Sequence, residues 1–180
     1  MPTWDYEDKR RLTAKDIAEA IRFRKDKGGF AKAYRQVQHW TTNGLLQTIT
    51  PIETGKGVAR EYVDVPTVFI AAVLQELSLF GLTIDSLRPI ADQLYEDYDD
   101  GDPEMIHFAA ETGEFDAFLR IDLTVDDKGK LAIAEVCMYS EQPEQDLYAI
   151  PRPKTSGSIL LNVGNIVNRI AWPGSTEGSR

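Results

Sequence analysis

The chain has 180 residues with 20 Lys/Arg against 29 Asp/Glu, a formal net charge of −9, and 42% apolar residues. That is enough apolar material for a real core, in one domain or in two small ones. There is no apolar run of about 18 residues to span a bilayer, no apolar segment of a secretory signal in MPTWDYEDKRRL, and only one cysteine, Cys137, which excludes an internal disulfide and a cysteine-built zinc site.

The charge is unevenly distributed. Residues 1–63 hold 12 Lys/Arg and 8 Asp/Glu, whereas residues 64–180 hold 8 and 21. Residues 9–35 alone have 10 basic and 3 acidic side chains. Such asymmetry implies a front that faces a polyanion and an acidic back that keeps the chain soluble or meets a partner. A charged helix with an ordinary solvated face is the plainer alternative.

Residues 1–12 are expected to form a loose N-terminal arm. Thr13 is a helix N-cap with Asp16 three residues on, a variant of the capping box. The apolar stripe Ile17, Ala18, Ile21 predicts a helix from about Ala14 to Arg24, ending in a turn at Gly28-Gly29. A second helix is expected over Phe30–Thr42, with Phe30, Tyr34, Val37 and Trp40 facing inward. Lys32, Arg35, Gln36 and His39 recur at i, i+3, i+4 and i+7 on another face, and these types bond base edges and phosphates. Asn43-Gly44 stops that helix and returns Leu45 and Leu46 to the core.

Residues 47–63 alternate as a hairpin, with Thr48, Ile49 and Ile52 outbound, Val58, Tyr62 and Val63 returning, and Thr54-Gly55-Lys56-Gly57 at the tip. Lys56 and Arg60 are positioned for backbone phosphates. Asp64 caps a third helix with Pro66 in its first turn, and VFIAAVLQELSLF (68–80) is apolar all round, so it is expected to be buried on several sides. Gly81 ends it. Thr83 caps a fourth helix to about Tyr98, where Pro89 is expected to delay the start or kink the axis.

The acidic stretch 99–104 is the expected linker after a domain of residues 13–98. A calcium loop is excluded there, because aligning Gly101 with the loop's invariant glycine places Tyr98 and His107 at oxygen-ligand positions. Beyond it the period becomes two. FLRIDLTV (118–125) and LAIAEVCMY (131–139) are strands joined by a turn at 126–129, Ser158–Val163 is another, and a short helix lies around Asn165–Ile170. Residues 105–172 thus read as a small, mostly antiparallel α+β domain, and 173–180 as a flexible tail. His39 and His107 lie in unrelated segments without a nucleophile, phosphate loop or metal-ligand cluster, so no enzyme, metal or cofactor is expected.

Three motifs together resemble the MerR-type winged helix-turn-helix family of bacterial transcription regulators: RQVQHWTTNGLL (35–46), AREY (59–62) and LQELSLFGLTIDSL (74–87), spread over residues 12–95. The resemblance implies an α+β chain whose N-terminal half is an all-α winged helix-turn-helix with a small β-wing. It implies that Arg35 and the exposed positions around it, Lys32, Gln36 and Gln38, enter the major groove of double-stranded DNA, and that His39 stands where the family often has a tyrosine contacting phosphate. Arg60 and Tyr62 would anchor the wing, and Trp40 would be core. The implied protein is a cytoplasmic, nucleoid-associated homodimer whose C-terminal domain dimerises or meets a small-molecule effector or protein partner. The chain departs from the family in a longer segment over Arg22–Ala33, in Ala59 for the first wing tyrosine, and in lacking heptads after the fourth helix. An interaction adaptor that keeps this fold without reading DNA is the alternative.

Overall fold

The computed structural model describes residues 11–23, 27–49, 60–100, 117–125, 127, 129, 131–140 and 156–170. It is α+β: five helices and two antiparallel sheets among those residues. In chain order these are β1 (Arg11–Thr13), α1 (Ala14–Ile21), α2 (Lys27–Thr42), β2 (Glu61–Val63), α3 (Asp64–Leu79), α4 (Ile84–Asp100), β3 (Ala117–Val125), β4 (Leu131–Ser140), β5 (Gly157–Asn162) and α5 (Val163–Arg169). The chain divides into two compact units, Met1–Gln75 with Ile170–Arg180, and Glu76–Arg169. The division falls within α3, so α4 groups with the strands that follow it and not with the helices before it, and Asp99 and Asp100 of the expected linker belong to α4.

In the first unit, α1 opens with the capping box read from the sequence. The Thr13 hydroxyl accepts from the Asp16 amide at 3.4 Å, and the Asp16 carboxylate accepts from the Thr13 amide at 2.8 Å and its hydroxyl at 2.7 Å. Satisfying these otherwise orphaned donors is worth about 1 kcal/mol. Ile17, Ala18, Ala20 and Ile21 are buried, and α1 packs on α2. It ends at Ile21 rather than Arg24, and α2 begins at Lys27, so Gly28 and Gly29 lie in its first turn instead of making the stop. Glycine's cost is the backbone entropy lost in a helix interior, so a helix end tolerates it better than the middle.

The C-terminus of α2 is closed as expected. Gly44 has φ 72°, Leu45 N–H reaches the Trp40 carbonyl at 2.9 Å, and Gly44 N–H reaches that of Thr41 at 3.0 Å. This is a Schellman arrangement, and Leu45 and Trp40 at its two ends are both buried. Phe30 and Tyr34, expected inside, are half-buried and stack on each other at 5.9 Å. Val37 and Trp40 do reach the core.

One expectation beside the hairpin is corrected. Arg11 and Leu12 are not a loose arm: β1 pairs antiparallel with β2, with Leu12 opposite Tyr62 and Thr13 opposite Glu61. The return strand has β1 as its ladder partner, and on its other side the Ile49 N–H of the expected outbound strand donates to the Glu61 carbonyl at 2.8 Å. An Arg11–Glu61 ion pair at 2.8 Å lies alongside. The tip Thr54-Gly55-Lys56-Gly57 lies outside the described residues. In α3, Pro66 through Gln75 are buried without interruption, as an all-round apolar helix requires.

In the second unit, Gly81 at φ 77° separates α3 from α4. The Thr83 hydroxyl accepts from the Ser86 amide at 3.4 Å to cap α4. The helix begins at Ile84 and contains Pro89, so proline does not delay its start. Leu87, Ile90, Ala91, Leu94 and Tyr95 form its buried stripe, and α4 packs on β4. The sheet order is β4-β3-β5, all antiparallel, with a bulge between Asp122 and Leu123. The turn before β4 uses Gly129 at φ 75°.

Leu119 and Ile121 fill one face of β3 as the alternation predicts. The polar face is buried as well. Arg120 and Asp122 are 2% and 0% exposed, with Arg120 Nε 3.1 Å from Asp122 Oδ2, Arg120 Nη2 3.5 Å from Glu135 Oε2, and the Ser158 hydroxyl donating to Asp122 Oδ1 at 2.5 Å. Cys137 stands opposite Arg120 in the ladder, but its side chain, like His107, lies outside the described residues. The Asn162 side chain caps α5 through the Asn165 amide at 2.8 Å, and Arg169 at the far end of α5 pairs with Glu76.

Candidate nucleic-acid interface

The predicted side chains separate into three groups. Lys32, Arg35, Gln38 and His39 are exposed and share the solvent side of α2, opposite buried Ala33, Val37, Trp40 and Thr41. At 3.6 residues per turn these are neighbouring rows of one face. The Arg35 Nε donates to the Ala31 carbonyl at 3.2 Å, which ties the side chain back to its own helix and does not use the two terminal nitrogens of the fork. His39 Nδ1 lies 3.3 Å from the Asn43 amide nitrogen, which also donates to the His39 carbonyl at 2.8 Å. With that amide as donor, neutral His39 has its proton on Nε2. Among the described residues neither Lys32 nor Arg35 has an acidic partner, whereas Arg11 is held by Glu61 and Arg22 by Glu19.

Gln36 departs from its predicted role. It sits at the border of the face, half-buried, with its carbonyl oxygen out of water and without a hydrogen bond among the described residues. Lys56 lies outside the described residues.

Tyr62 is the clearest correction. It is fully buried in the middle of β2, and its hydroxyl is 2.8 Å from that of Thr41, which in turn donates to the Val37 carbonyl at 2.8 Å. A tyrosine so placed locks β2 onto α2 and does not reach a ligand in solvent. Burial pushes its pKa above the ordinary 10.0, opposed by the Thr41 hydrogen bond and the Arg60 guanidinium, with Tyr34 adding to the rise.

Arg60 sits at the edge of a concave site of about 500 Å³ in the first unit. One wall is the start of α1, Thr13 to Lys15, and another is the Tyr34, Gln38, Thr42 row of α2, with buried Tyr62 behind. Of the predicted residues the site thus gathers Gln38, Arg60 and Tyr62, while Lys32, Arg35 and His39 lie on the adjoining helix face. Lys15 was not singled out from the sequence. Its place two residues after the N-cap marks it as exposed, but only the folded chain brings it to a cavity with a residue of the β2 approach.

The chain matches no protein-family model, and no curated protein matches it in sequence.

Proposed function

We propose that this protein is a DNA-binding transcription regulator with a winged helix-turn-helix first unit, reading the major groove with α2 and holding phosphates with the segment through Arg60. The observation that carries the reading is the solvent face of α2, where Lys32, Arg35, Gln38 and His39 are exposed side by side and the two cations are not neutralised by any described acid. Lysine and arginine supply salt-dependent affinity by displacing counterions from phosphates, and glutamine, arginine and histidine supply donors and acceptors for base edges. The acidic second half of the chain offsets nonspecific attraction, since 21 of the 29 acidic residues lie beyond residue 63.

Fluorescence polarisation against fragments of the source genome, at several salt concentrations, tests the reading. Sub-micromolar binding to a few fragments that weakens in Arg35→Ala supports it, and an inverted repeat in those fragments means a homodimer. Equal, weak binding to every fragment rejects sequence-specific recognition.

A protein-interaction adaptor is the second reading. The net charge of −9 and the exposed pair Leu79 and Phe80, 63% and 59% accessible at the end of α3, favour it. A stoichiometric protein partner, with no DNA retained at low salt, decides for the adaptor.

A further inference from the structure

We propose that the concavity between the start of α1, the Tyr34–Gln38–Thr42 row of α2 and Arg60 is a subsite for the phosphate of a phosphoester, with Lys15 and Arg60 as its cationic walls. In a chain with nine more acidic than basic residues, this lining contains two cations and no carboxylate. The acids adjacent in sequence, Asp16 beside Lys15 and Glu61 beside Arg60, are already engaged: both the amide and the hydroxyl of Thr13 donate to the Asp16 carboxylate, and Glu61 pairs with Arg11. Among the described residues neither Lys15 nor Arg60 forms an ion pair, in contrast to Arg11 and Arg22 on the same unit. Two cations lining one cavity can share an anion, since a phosphate oxygen accepts from both ammonium and guanidinium.

The neutral lining fits the same chemistry. The Gln38 amide and the Thr42 hydroxyl are donors on exposed side chains of one helix row, and Tyr34 offers an aromatic edge beside them. Tyr62 is not a donor here, because its hydroxyl is engaged with Thr41. The volume, about 500 Å³, greatly exceeds a bare phosphate ion and leaves room for the sugar attached to it. The phosphate then belongs either to the backbone of bound DNA, in which case the inference rests on the regulator reading, or to a free nucleotide.

The test uses the full chain and two probes, a duplex selected from the genomic fragments and thymidine 5′-monophosphate. The variants are Lys15→Gln, Arg60→Gln, Arg22→Ala and Arg35→Ala, with folding checked by circular dichroism. For a backbone phosphate, Lys15→Gln and Arg60→Gln each lose about tenfold in duplex affinity at 0.1 M salt and flatten the salt slope by about one unit. Arg22→Ala, its charge already held by Glu19, leaves the slope unchanged. Amide shifts of Lys15, Gln38 and Arg60 with the mononucleotide, abolished by Lys15→Gln, support the subsite with a free phosphoester. If the wild type at the same time ignores every duplex, the regulator reading falls and the subsite stands. Duplex binding that weakens in Arg35→Ala but keeps its affinity and slope in Lys15→Gln and Arg60→Gln, with no mononucleotide shifts, overturns the subsite and leaves the regulator reading intact. Binding of neither probe overturns both.

Discussion

The two units treat charge in opposite ways. On α2 and around the concavity, Lys15, Lys32, Arg35 and Arg60 form no ion pair with an acid among the described residues. On β3, Arg120 and Asp122 are taken out of water and set against each other, with Glu135 and Ser158 completing the group. A buried pair is bound into the fold and is costly to break, while an exposed cation contributes little to stability and remains available to an outside anion. The first arrangement suits a ligand, the second a framework.

Breaking the buried group gives the largest expected effect. Arg120→Met strands Asp122 without its counter-charge and costs about 3–5 kcal/mol in urea denaturation, whereas Arg120→Met combined with Asp122→Leu recovers most of it. A single-variant loss below about 1 kcal/mol would mean that water reaches the pair and the contrast fails. Next comes Thr41→Val, which removes the hydroxyl facing buried Tyr62 and lowers stability by about 1–3 kcal/mol in the same measurement.

The raised pKa of Tyr62 sharpens the comparison through pH. Folding favours the protonated phenol, so its contribution is intact below the ordinary value of 10.0 and is lost as pH climbs from there through the folded-state value. The wild type is therefore expected to lose more stability than Tyr62→Phe between neutral and strongly alkaline pH, and identical pH profiles would contradict burial of the hydroxyl. At the small end, Lys32→Ala and Arg35→Ala are expected to stay within about 0.5 kcal/mol of wild-type stability. Their effect is expected in duplex affinity, which separates ligand-facing charge from structural charge.

Much of the first unit was legible because its signals are local. The Thr13–Asp16 box, the Gly44 stop and the helical stripes each need only a few neighbouring residues, as does the Thr83 cap in the second unit. Strands β3, β4 and β5 were legible by their period. What escaped depends on residues far apart in sequence. A three-residue strand has no period, so nothing in Arg11–Thr13 announced its pairing with Glu61–Val63. Tyr62 carries an apolar ring and a polar tip, and local pattern does not say which of these decides its place. Arg120 and Asp122 alternate with leucine and isoleucine like any solvated strand face, and their burial is decided by tertiary packing. Lys15 meets the same cavity as Arg60 only in the folded chain. Gly28-Gly29 misled because a stop signal and a permissive first turn are written with the same residues.

The β1–β2 ladder has a consequence for the order of folding. Arg11 and Glu61 are 50 positions apart, and between them lie both α1 and α2. Helices of this kind form from nearest-neighbour contacts in microseconds, whereas the ladder must wait until a long loop has closed and its entropy has been lost. The pair of short strands is thus the clasp that closes last over an already formed helical pair. Weakening it at Leu12 is expected to speed unfolding while leaving the folding rate nearly unchanged.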